Sequence, residues 1–397
     1  MKNHQPIKVF VLPSWYPPEG GQFFADHSRA LAREGMDVTV LAVINIGIRN
    51  YLKQFFSNKK VDRNNSEFAE IRENCLVFPV GQERNVKKRI EATVRLYENA
   101  ARKHGHPDVL QVHSSIWAGA AASVIKGKYG TPYVLTEHRS RFIENSGHNF
   151  DAYSDFQKNL VIQAFTHSDQ VVAVSEELKT GIEKWLRENE LSEISVIPNM
   201  VDTDFFTPAE GTRKEGTFTF FFLGNFEYYK GADVLIEAFR ILMKEYEIKC
   251  RLIIGGDSSG SSAVHNLVKK YDLEEKVCFT GRLSDKEVRS TMQQSDAFVL
   301  PSRYEAFGVV LLEAMACGLP VVATRSGGPE NFVPNHAGIL TEPENPEKLA
   351  QAMNKMLKEA KSFNPEVISE YIRKNFSAEV IAARYKKLYE NILKKQG

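Results

Sequence analysis

The sequence predicts an α/β protein built from two doubly wound domains that face each other across a cleft. Three observations predict this fold class. The chain has 397 residues, which is more than one ordinary hydrophobic core accommodates. Short apolar runs alternate with segments of helical periodicity in both halves, a pattern typical of parallel sheets covered on both faces. A turn-rich stretch, Pro198 to Pro208, separates the two series and is the predicted linker.

The first series predicts an N-terminal domain, residues 1–200. Its first strand, Lys8 to Leu12, is followed by a loop and by a helix from Phe23 to Arg33, with Gly35 as the helix stop. The next buried strand runs from Asp37 to Val43. Four later apolar runs are also predicted strands: Val109 to Val112, Tyr133 to Thr136, Val171 to Val174 and Ser195 to Ile197.

The second series predicts a C-terminal domain, residues 201–375. Its predicted strands are six short apolar runs: Phe218 to Leu223, Arg251 to Gly255, Lys276 to Phe279, Ala297 to Leu300, Pro320 to Ala323 and Gly338 to Leu340. A long helical pattern follows, from Ile368 to Lys395, and residues 376–397 are expected to cross back to the first domain. The cleft between two such domains is a common place for a ligand.

Composition narrows the function classes. The formal net charge is +1, so no overall field favours nucleic acid as a partner. No apolar run approaches the ~18 residues of a membrane-spanning helix. The run from Ile7 to Leu12 is too short for the core of a signal peptide. The four cysteines are far apart and form no paired zinc motif, so we expect a reducing, cytoplasmic location.

The stretch from Pro301 to Glu330 is the most informative part of the chain. It begins at the end of a predicted strand, and Gly308 would let the backbone approach a ligand closely. A predicted helix then runs from Val309 to Ala316, with Gly318 as its stop. A helix that begins directly after a strand points free N–H groups and a positive dipole end toward the cleft. That arrangement suits an anion such as a diphosphate.

Two glutamates, Glu305 and Glu313, lie eight positions apart in this stretch. Glu313 sits in an otherwise apolar helix, where a carboxylate needs a partner. Two ribose hydroxyls would serve, and Glu305 on the loop could meet hydroxyls of a sugar. From the pattern alone, a Glu313 that caps or pairs within the protein is an equally good explanation.

The segment resembles the signature of the retaining glycosyltransferases of family 4, which have the GT-B fold of two Rossmann-like domains. Glu305 and Glu313 match the paired glutamates of that family, and Phe307 with Gly308 match its Phe-Gly pair. Other stretches agree in the same order: Gly20-Gly21, Thr136-Glu137-His138, Ile197 to Asp202, Gly281 to Ser284, and Gly327-Gly328 with Glu330. The resemblance spans the chain from about Lys8 to the C-terminus.

This resemblance implies a nucleotide diphosphate sugar as the donor and neither a metal nor a cofactor. It implies His138, Lys230 and Glu305 as catalytic residues. The donor-binding residues that it implies are Gly20, Gly21, Gly224, Asn225, Lys230, Arg282, Leu283, Glu305, Ala306, Phe307, Gly308, Val309 and Glu313.

The stretch from Gly224 to Gly231 resembles the phosphate loop of the family, and Lys230 matches its lysine. A lysine there would neutralise charge as the diphosphate leaves. The family usually has an arginine directly after the first glycine, whereas this chain has Asn225. The substitution removes one expected phosphate contact.

Two other patterns imitate binding motifs. Asp202-Thr203-Asp204 resembles a metal-binding Asp-x-Asp, but it lies within the linker motif, so we expect no metal there. Gly255-Gly256-Asp257 follows a strand, yet the dinucleotide fingerprint is missing from the first strand-helix turn, so NAD is not expected.

The acceptor is expected on the N-terminal domain, as in the family, and would be a glycan or a lipid-linked sugar. Two basic stretches, Arg49 to Lys60 and Lys87-Lys88-Arg89, could rest on anionic lipid at the inner face of the plasma membrane. A solvated loop and helix face explains the same residues as well.

The sequence therefore predicts a retaining, metal-independent transferase that moves a hexose-type sugar, in the biosynthesis of a surface polysaccharide. Two alternatives remain open on the sequence alone. One is a nucleotide-sugar epimerase of the same fold, and the other is a non-catalytic protein that binds nucleotide sugars or glycans.

Overall fold

The computed structural model describes residues 5–17, 20–47, 62–64, 67–78, 81–143, 150–209, 216–246, 248–256 and 262–396. Within these residues the strands form two separate sheets, one in each half of the chain. The α/β fold class with two doubly wound domains is therefore confirmed.

The first sheet has eight strands in the order β3-β4-β2-β1-β5-β6-β7-β8. The strands are β1 (Lys8–Pro13), β2 (Asp37–Gly47), β3 (Asp62–Asn64), β4 (Ala69–Val77), β5 (Val109–His113), β6 (Tyr133–Glu137), β7 (Gln170–Ala173) and β8 (Ile194–Val196). All of them pair in parallel except β3, which is antiparallel to β4. The six strands predicted in this half are present, whereas β3 and β4 were not predicted.

Helices cover both faces of this sheet. They are α1 (Gln22–Arg33), α2 (Gln82–His104), α3 (Ala120–Tyr129), α4 (Asp155–Thr166) and α5 (Glu176–Trp185), and a π-helical turn, Ser115–Gly119, precedes α3. Every residue of β5 and β6 is buried. Burial on both faces explains why these strands read as continuous apolar runs.

The second sheet has six parallel strands in the order β11-β10-β9-β12-β13-β14. They are β9 (Phe218–Leu223), β10 (Cys250–Gly255), β11 (Val277–Gly281), β12 (Ala297–Leu300), β13 (Val321–Thr324) and β14 (Gly338–Thr341). The covering helices are α6 (Ala232–Glu245), α7 (Ser262–Lys270), α8 (Asp285–Gln294), α9 (Val309–Ala316) and α10 (Pro346–Glu359). All six strands predicted for this half are present.

Each sheet has a point where the strand order reverses. In the first sheet β1 lies between β2 and β5, and in the second β9 lies between β10 and β12. Ligands of open α/β sheets bind in the crevice at the carboxyl ends of the strands around such a point. The loops after β9 and β12 carry Gly224 and Glu305, so the fold brings these two predicted stretches to one crevice.

The prediction of one long helix from Ile368 to Lys395 is wrong. Two helices occupy the segment, α11 (Pro365–Phe376) and α12 (Ala378–Gln396), and the extended backbone of Ser377 separates them. The Ser377 hydroxyl accepts the N–H of Val380, so this serine caps α12 instead of continuing α11.

Helix α12 lies against the first domain. The Tyr389 hydroxyl donates a hydrogen bond of 2.7 Å to Gln111 Oε1 in β5. The Tyr385 hydroxyl lies 3.1 Å from Thr136 Oγ1 in β6, and Lys386 Nζ donates to the Glu34 carbonyl at the end of α1. These contacts join the last helix to the core of the N-terminal sheet.

Candidate active site

Several helices begin at a glycine that leaves their first turn without a side-chain cap. Gly21 of α1, Gly81 of α2, Gly231 of α6 and Gly308 of α9 all have positive φ, and none of these helices has a side-chain cap. Six other helices are capped instead by side chains, those of Ser154, Ser175, Ser284, Asn345, Asn364 and Ser377. The N–H groups of the uncapped first turns remain available for an anion. Three of the four, those of α1, α6 and α9, begin at residues predicted for the donor site or its phosphate loop.

Lys230 and Glu305 meet at the crevice of the second sheet. The Lys230 Nζ lies 2.7 Å from Glu305 Oε2, and the Ser302 hydroxyl donates to the same oxygen at 3.2 Å. The two side chains are only 17% and 13% exposed. Burial opposes the charged form of Lys230, but the Glu305 carboxylate more than offsets it and raises the pKa of Lys230 above its usual value. The lysine is therefore held as a cation.

The turn that carries Lys230 is clamped by Arg303, a residue that was not predicted from the sequence. The guanidinium donates two hydrogen bonds to the Asp233 carboxylate, of 2.9 and 2.7 Å, and a third of 2.9 Å to Glu344. It also donates to the Tyr228 carbonyl at 2.6 Å and lies over the Tyr228 ring. Arg303 thereby ties the segment Tyr228–Lys230 to the loop after β12.

Glu313 lies in the second turn of α9 among buried apolar neighbours. No hydrogen bond or ion pair joins its carboxylate to any residue that the structure describes. Burial is the main reason that the pKa of Glu313 rises from 4.5 to about 7, and the negative charges of Asp285 and Asp26 add to the effect. Asp26 belongs to α1, so one of these charges comes from the first domain. Of the two explanations left open by the sequence, an internal partner for Glu313 finds no support.

Glycines bring the loops of the second sheet into close contact. A Cβ on Gly256 would lie 1.8 Å from the Gly224 carbonyl oxygen, and φ of Gly256 is +129°. Leu283 packs beside Gly255, where a Cβ would be 3.2 Å from its side chain, while Arg282 is exposed. The predicted residues Gly224 and Leu283 therefore line one edge of the crevice.

The remaining predicted residues of this domain differ in the burial and contacts of their side chains. The Asn225 amide lies 3.5 Å from the Tyr229 hydroxyl. Ala306 and Phe307 are buried, and the Phe307 ring stacks on Phe332 at 4.6 Å. Ala306 and Phe307 can therefore face a ligand only through their backbone, as can Gly308, which has no side chain. Val309, at the start of α9, is half-buried.

His138 lies in the first domain, directly after β6. Its Nε2 is 3.0 Å from Nδ1 of His113, and the rings of Phe23 and Phe24 contact it edge-on. Burial lowers the pKa of His138 from 6.5 to about 4. Gly20 and Gly21, both with positive φ, form the turn before α1, and a Cβ on Gly21 would lie 2.6 Å from the Trp15 carbonyl oxygen.

The structure does not join all of the predicted catalytic residues. Lys230 and Glu305 form one cluster, whereas His138 has no contact with either of them among the described residues. The two domains do approach each other nearby. The N–H of Glu176 in α5 donates to Asn331 at 3.4 Å, and a Cβ on Gly327 would lie 3.0 Å from Glu177.

The basic cluster Lys87-Lys88-Arg89 is not a lipid-facing patch as a whole. Arg89 is only 3% exposed, and its guanidinium donates to the carbonyls of Ser14 and Val43. The other basic stretch, Arg49 to Lys60, lies outside the described residues. Among the helices of the described chain, none is both long and apolar enough to span a membrane.

A cavity of about 640 Å³ lies on the first domain at the uncapped start of α2. Its described lining residues are Gly81, Gln82, Glu83, Arg84, Lys87, Ser154 and Gln157. None of them belongs to the predicted donor site. Because α2 and α4 both begin at the carboxyl edge of the first sheet, this cavity opens on the same edge as His138.

Comparison with known proteins assigns both halves of the chain. Residues 20–205 match the family described as Glycosyltransferase Family 4, and residues 204–375 match Glycosyl transferases group 1. An uncharacterized glycosyltransferase of Methanocaldococcus jannaschii is 31% identical over 293 residues, which cover 72% of this chain and 76% of that protein. The chain belongs to the group 1 glycosyltransferases.

The match to another relative of this glycosyltransferase covers only part of that protein. A phosphatidylinositol N-acetylglucosaminyltransferase protein of Arabidopsis thaliana is 30% identical over 256 residues, which cover 64% of this chain but only 56% of that protein. The match thus spans little more than half the length of this relative.

Solved structures bear out the GT-B fold of the glycosyltransferase. Sucrose-phosphate synthase from Thermosynechococcus elongatus has a TM-score of 0.80 at 20% identity, with 98% of this chain and 100% of that chain covered. The Anabaena protein HepE in complex with UDP-glucose has a TM-score of 0.70 at 18% identity, with 97% and 100% covered. Both superpose over nearly the whole chain, so the arrangement of the two domains is shared.

Proposed function

We propose that this glycosyltransferase moves a hexose-type sugar from a nucleoside diphosphate sugar to a hydroxyl of a glycan or lipid-linked acceptor, with retention at the anomeric carbon. The Lys230–Glu305 pair carries the proposal. It lies between the uncapped starts of α6 and α9 at the point where the strand order of the second sheet reverses. Cation, free N–H groups and carboxylate together complement a sugar diphosphate.

The diphosphate occupies the first turns of α9 and α6, where backbone N–H groups and the helix dipoles favour negative charge. Negative charge grows on the leaving phosphate as the glycosidic bond breaks, and Lys230 neutralises it. Glu305 then turns from Lys230 to accept hydroxyl protons of the transferred sugar. The direct contact between these two side chains gives way to one contact each with the donor.

Glu313 is proposed to hold the ribose. Its carboxylate has no internal hydrogen bond among the described residues, and an ionised carboxylate accepts two hydroxyl protons well. Bound hydroxyls would stabilise the charged form that burial disfavours in the free protein. Nucleotide binding is therefore expected to lower the pKa of this group.

The acceptor is proposed to enter on the first domain, between His138 and the cavity at the start of α2. Two basic residues, Arg84 and Lys87, and one acidic residue, Glu83, line that cavity, so its described lining has net positive charge and fits an acceptor that carries negative charge better than a neutral one. The Arabidopsis relative is named for transfer to phosphatidylinositol, which is such an acceptor. An acceptor held by a membrane would place the enzyme at the inner face of the plasma membrane, in the synthesis of a surface glycan.

No metal enters this proposal, because Lys230 and two helix N-termini supply the positive charge. Asp202 is engaged elsewhere, since its carboxylate accepts the N–H groups of Asp204 and Phe205 in a turn.

The first test is thermal stabilisation by UDP, GDP, ADP and CMP, each with and without EDTA. A ligand that binds only the folded state raises the melting temperature by mass action. We expect one nucleoside diphosphate to give a shift that EDTA does not remove. Loss of the shift in EDTA would overturn metal independence, and no shift with any nucleotide would argue against a nucleotide-sugar site.

The second test is transfer itself, with the matching radiolabelled sugar nucleotide and a panel of neutral and phosphorylated acceptors. We expect a product in which the anomeric configuration of the donor is kept. An inverted product would contradict retention. Conversion of the donor sugar into its epimer without any acceptor would replace transfer by epimerisation.

A further inference from the structure

The histidine at the end of β6 is held by neighbours that were not predicted from the sequence. His113, the last residue of β5, places Nδ1 3.0 Å from Nε2 of His138. A side-chain hydrogen bond also joins His138 to Asn199, in the segment between β8 and β9. Asn199 is buried. His138 thus has two hydrogen-bond partners within the protein, His113 and Asn199.

The nearest carboxylate, that of Glu137, gives the His138 ring no hydrogen bond among the described residues. Glu137 is buried, and its two oxygens accept the N–H groups of Ser115, His138 and Arg139 and the Ser115 hydroxyl. Since four donors occupy this carboxylate, the His138 ring has no acidic partner of the kind that orients a general base.

The contact between the two imidazoles holds one proton, and its position decides the tautomers of both rings. If His138 donated, His113 would carry its own proton on Nε2. That nitrogen is buried, it has no hydrogen-bond partner among the described residues, and Phe24 stacks on the ring at 4.5 Å. A buried N–H without an acceptor is more costly than a bare lone pair. His113 is therefore the donor, and its bare Nε2 faces the apolar side.

The other side of His138 fits the same assignment. With Nε2 accepting from His113, the neutral His138 ring carries its proton on Nδ1. Burial lowers the pKa of His138, while the negative charge of Glu137 and the hydrogen bond with Asn199 both oppose that shift. In this arrangement the amide oxygen of Asn199 is the atom that can accept the Nδ1–H, because an amide nitrogen has no lone pair to offer.

We propose that His113 and Asn199 are positioning residues that fix His138 as the Nδ1–H tautomer, so that it serves the substrate as a hydrogen-bond donor and not as a base. This inference rests on the proposed function, because it assigns His138 to the substrate. The Nε2 lone pair is occupied by His113, so the ring cannot accept a proton there. The Nδ1–H becomes available to a sugar oxygen when the Asn199 amide moves away.

Asn199 is suited to such an exchange by its place in the chain. It belongs to the connection between the two sheets, three residues after β8, and Val201 close by pairs with the backbone around Ser377. A shift of one domain against the other would move this connection. The Nδ1–H of His138 would then be accessible only in the domain arrangement that binds the substrate.

The tautomer can be read directly by long-range ¹H–¹⁵N correlation NMR of the full chain labelled at histidine. The His138 signal is assigned as the one missing from His138→Gln. In the wild type at pH 7.5 we expect a protonated Nδ1 and a bare Nε2 on His138. A protonated Nε2 there would overturn the proposal.

Variants of His113 test its role. His113→Phe keeps an aromatic ring against Phe24 but removes the donor, so the His138 proton should move to Nε2 or exchange between both nitrogens. We expect kcat/KM for transfer to fall about tenfold or more, because a misplaced reacting group costs that much or more. His113→Asn, whose amide can donate from the place of Nδ1, should restore the Nδ1–H tautomer and most of the activity. An unchanged His138 signal in His113→Phe would refute the assignment.

His106→Phe is the matched control. It removes a histidine that lies 2.8 Å from the Tyr97 hydroxyl in the same domain, and it should leave the His138 signal unchanged. If His113→Phe does not fold, Asn199→Leu tests the other side, since Nδ1–H then loses its acceptor and the proton should redistribute. A wild type that transfers no sugar would refute the proposed function, while the NMR signal would still decide the tautomer.

Discussion

Lys230 and Glu305 pair directly, with Nζ 2.7 Å from Oε2, although the sequence predicts one for the leaving diphosphate and the other for the transferred sugar. The pair keeps both charges compensated in a partly buried crevice. In the proposed function, donor binding exchanges this internal ion pair for two contacts with substrate. The two residues are expected to contribute to different kinetic steps.

Lys230→Ala is expected to lower kcat by about 10²- to 10³-fold, because it removes the cation that faces the developing charge on the leaving group. The KM for the donor should change far less. Steady-state kinetics with varied donor concentration separates the two effects. Lys355→Ala is the control, since this lysine is 60% exposed and lies 3.9 Å from Glu359 on the same domain. A normal kcat in Lys230→Ala would contradict the assigned role.

Glu313→Gln is expected to stabilise the free enzyme at alkaline pH while it weakens nucleotide binding. The folded pKa of about 7 lies above the ordinary 4.5, so the folded state favours the protonated carboxyl. Stability from this group is complete below pH 4.5 and is lost as pH rises through 7. The variant should therefore gain up to about 3 kcal/mol in free energy of unfolding at pH 8 and almost nothing at pH 4.5, at 1.36 kcal/mol per pKa unit.

Urea unfolding over this pH range measures the effect, and titration with the preferred nucleotide measures binding. Glu275→Gln alters an exposed carboxylate of the same domain and should leave both quantities near those of the wild type. Equal gains at pH 8 and pH 4.5 would show that the buried charge of Glu313 is not the cause.

The sequence was sufficient wherever the signal is local. The strands before the site, β9 and β12, are apolar runs buried on both faces, so their ends and the loops after them could be located within a residue. The helix after Gly308 was predicted because it is a short apolar segment with one glycine before its first residue and another, Gly318, shortly after its last. The predicted site residues in these loops could then be placed from their positions in the chain alone.

Contacts between distant residues could not be predicted in this way. Arg303 lies inside the most informative stretch of the sequence, but its partners Asp233 and Glu344 are 70 and 41 positions away. His113 ends β5, and His138, 25 positions later, directly follows the adjacent strand β6. Strand β4 was missed because its sequence alternates charged and apolar residues at the partly covered side of the sheet. The break between α11 and α12 had one sign in the sequence, which is the serine at position 377 within the helical pattern.

Arg303→Lys is expected to lower both stability and turnover. A lysine cannot reproduce the two parallel hydrogen bonds to Asp233 together with the bond to Glu344. We expect a loss of about 1–3 kcal/mol in free energy of unfolding. A fall in kcat with little change in acceptor KM should accompany it, because the turn that carries Lys230 loosens. Arg373→Lys is the control, since its pair with Glu370 is 62% exposed at the arginine and should contribute little.

His27→Phe is expected to make the enzyme less sensitive to acid. His27 is 2% exposed, its ring lies between His113 and Tyr385, and neither nitrogen has a hydrogen-bond partner among the described residues. Burial lowers its pKa from 6.5 to about 3, and the nearby His138 adds to the shift. The folded state therefore favours the neutral ring. Its contribution to stability is complete above pH 6.5 and is lost as the pH falls from 6.5 toward 3.

Unfolding free energies between pH 7 and pH 4 should thus decline less steeply in His27→Phe than in the wild type, by up to about 1.4 kcal/mol per pH unit, the value for one proton. His113 and His138 are also buried with lowered pKa values, so part of the acid sensitivity must remain in the variant. His104→Phe removes an exposed histidine at the end of α2 and should follow the wild-type curve. Parallel curves for His27→Phe and the wild type would mean that His27 binds a proton in the folded enzyme as readily as in the unfolded chain. The positive charge of His27 would then need a partner among the residues around its ring. A charged His27 beside His113 would also weaken the assignment of His113 as a neutral hydrogen-bond donor.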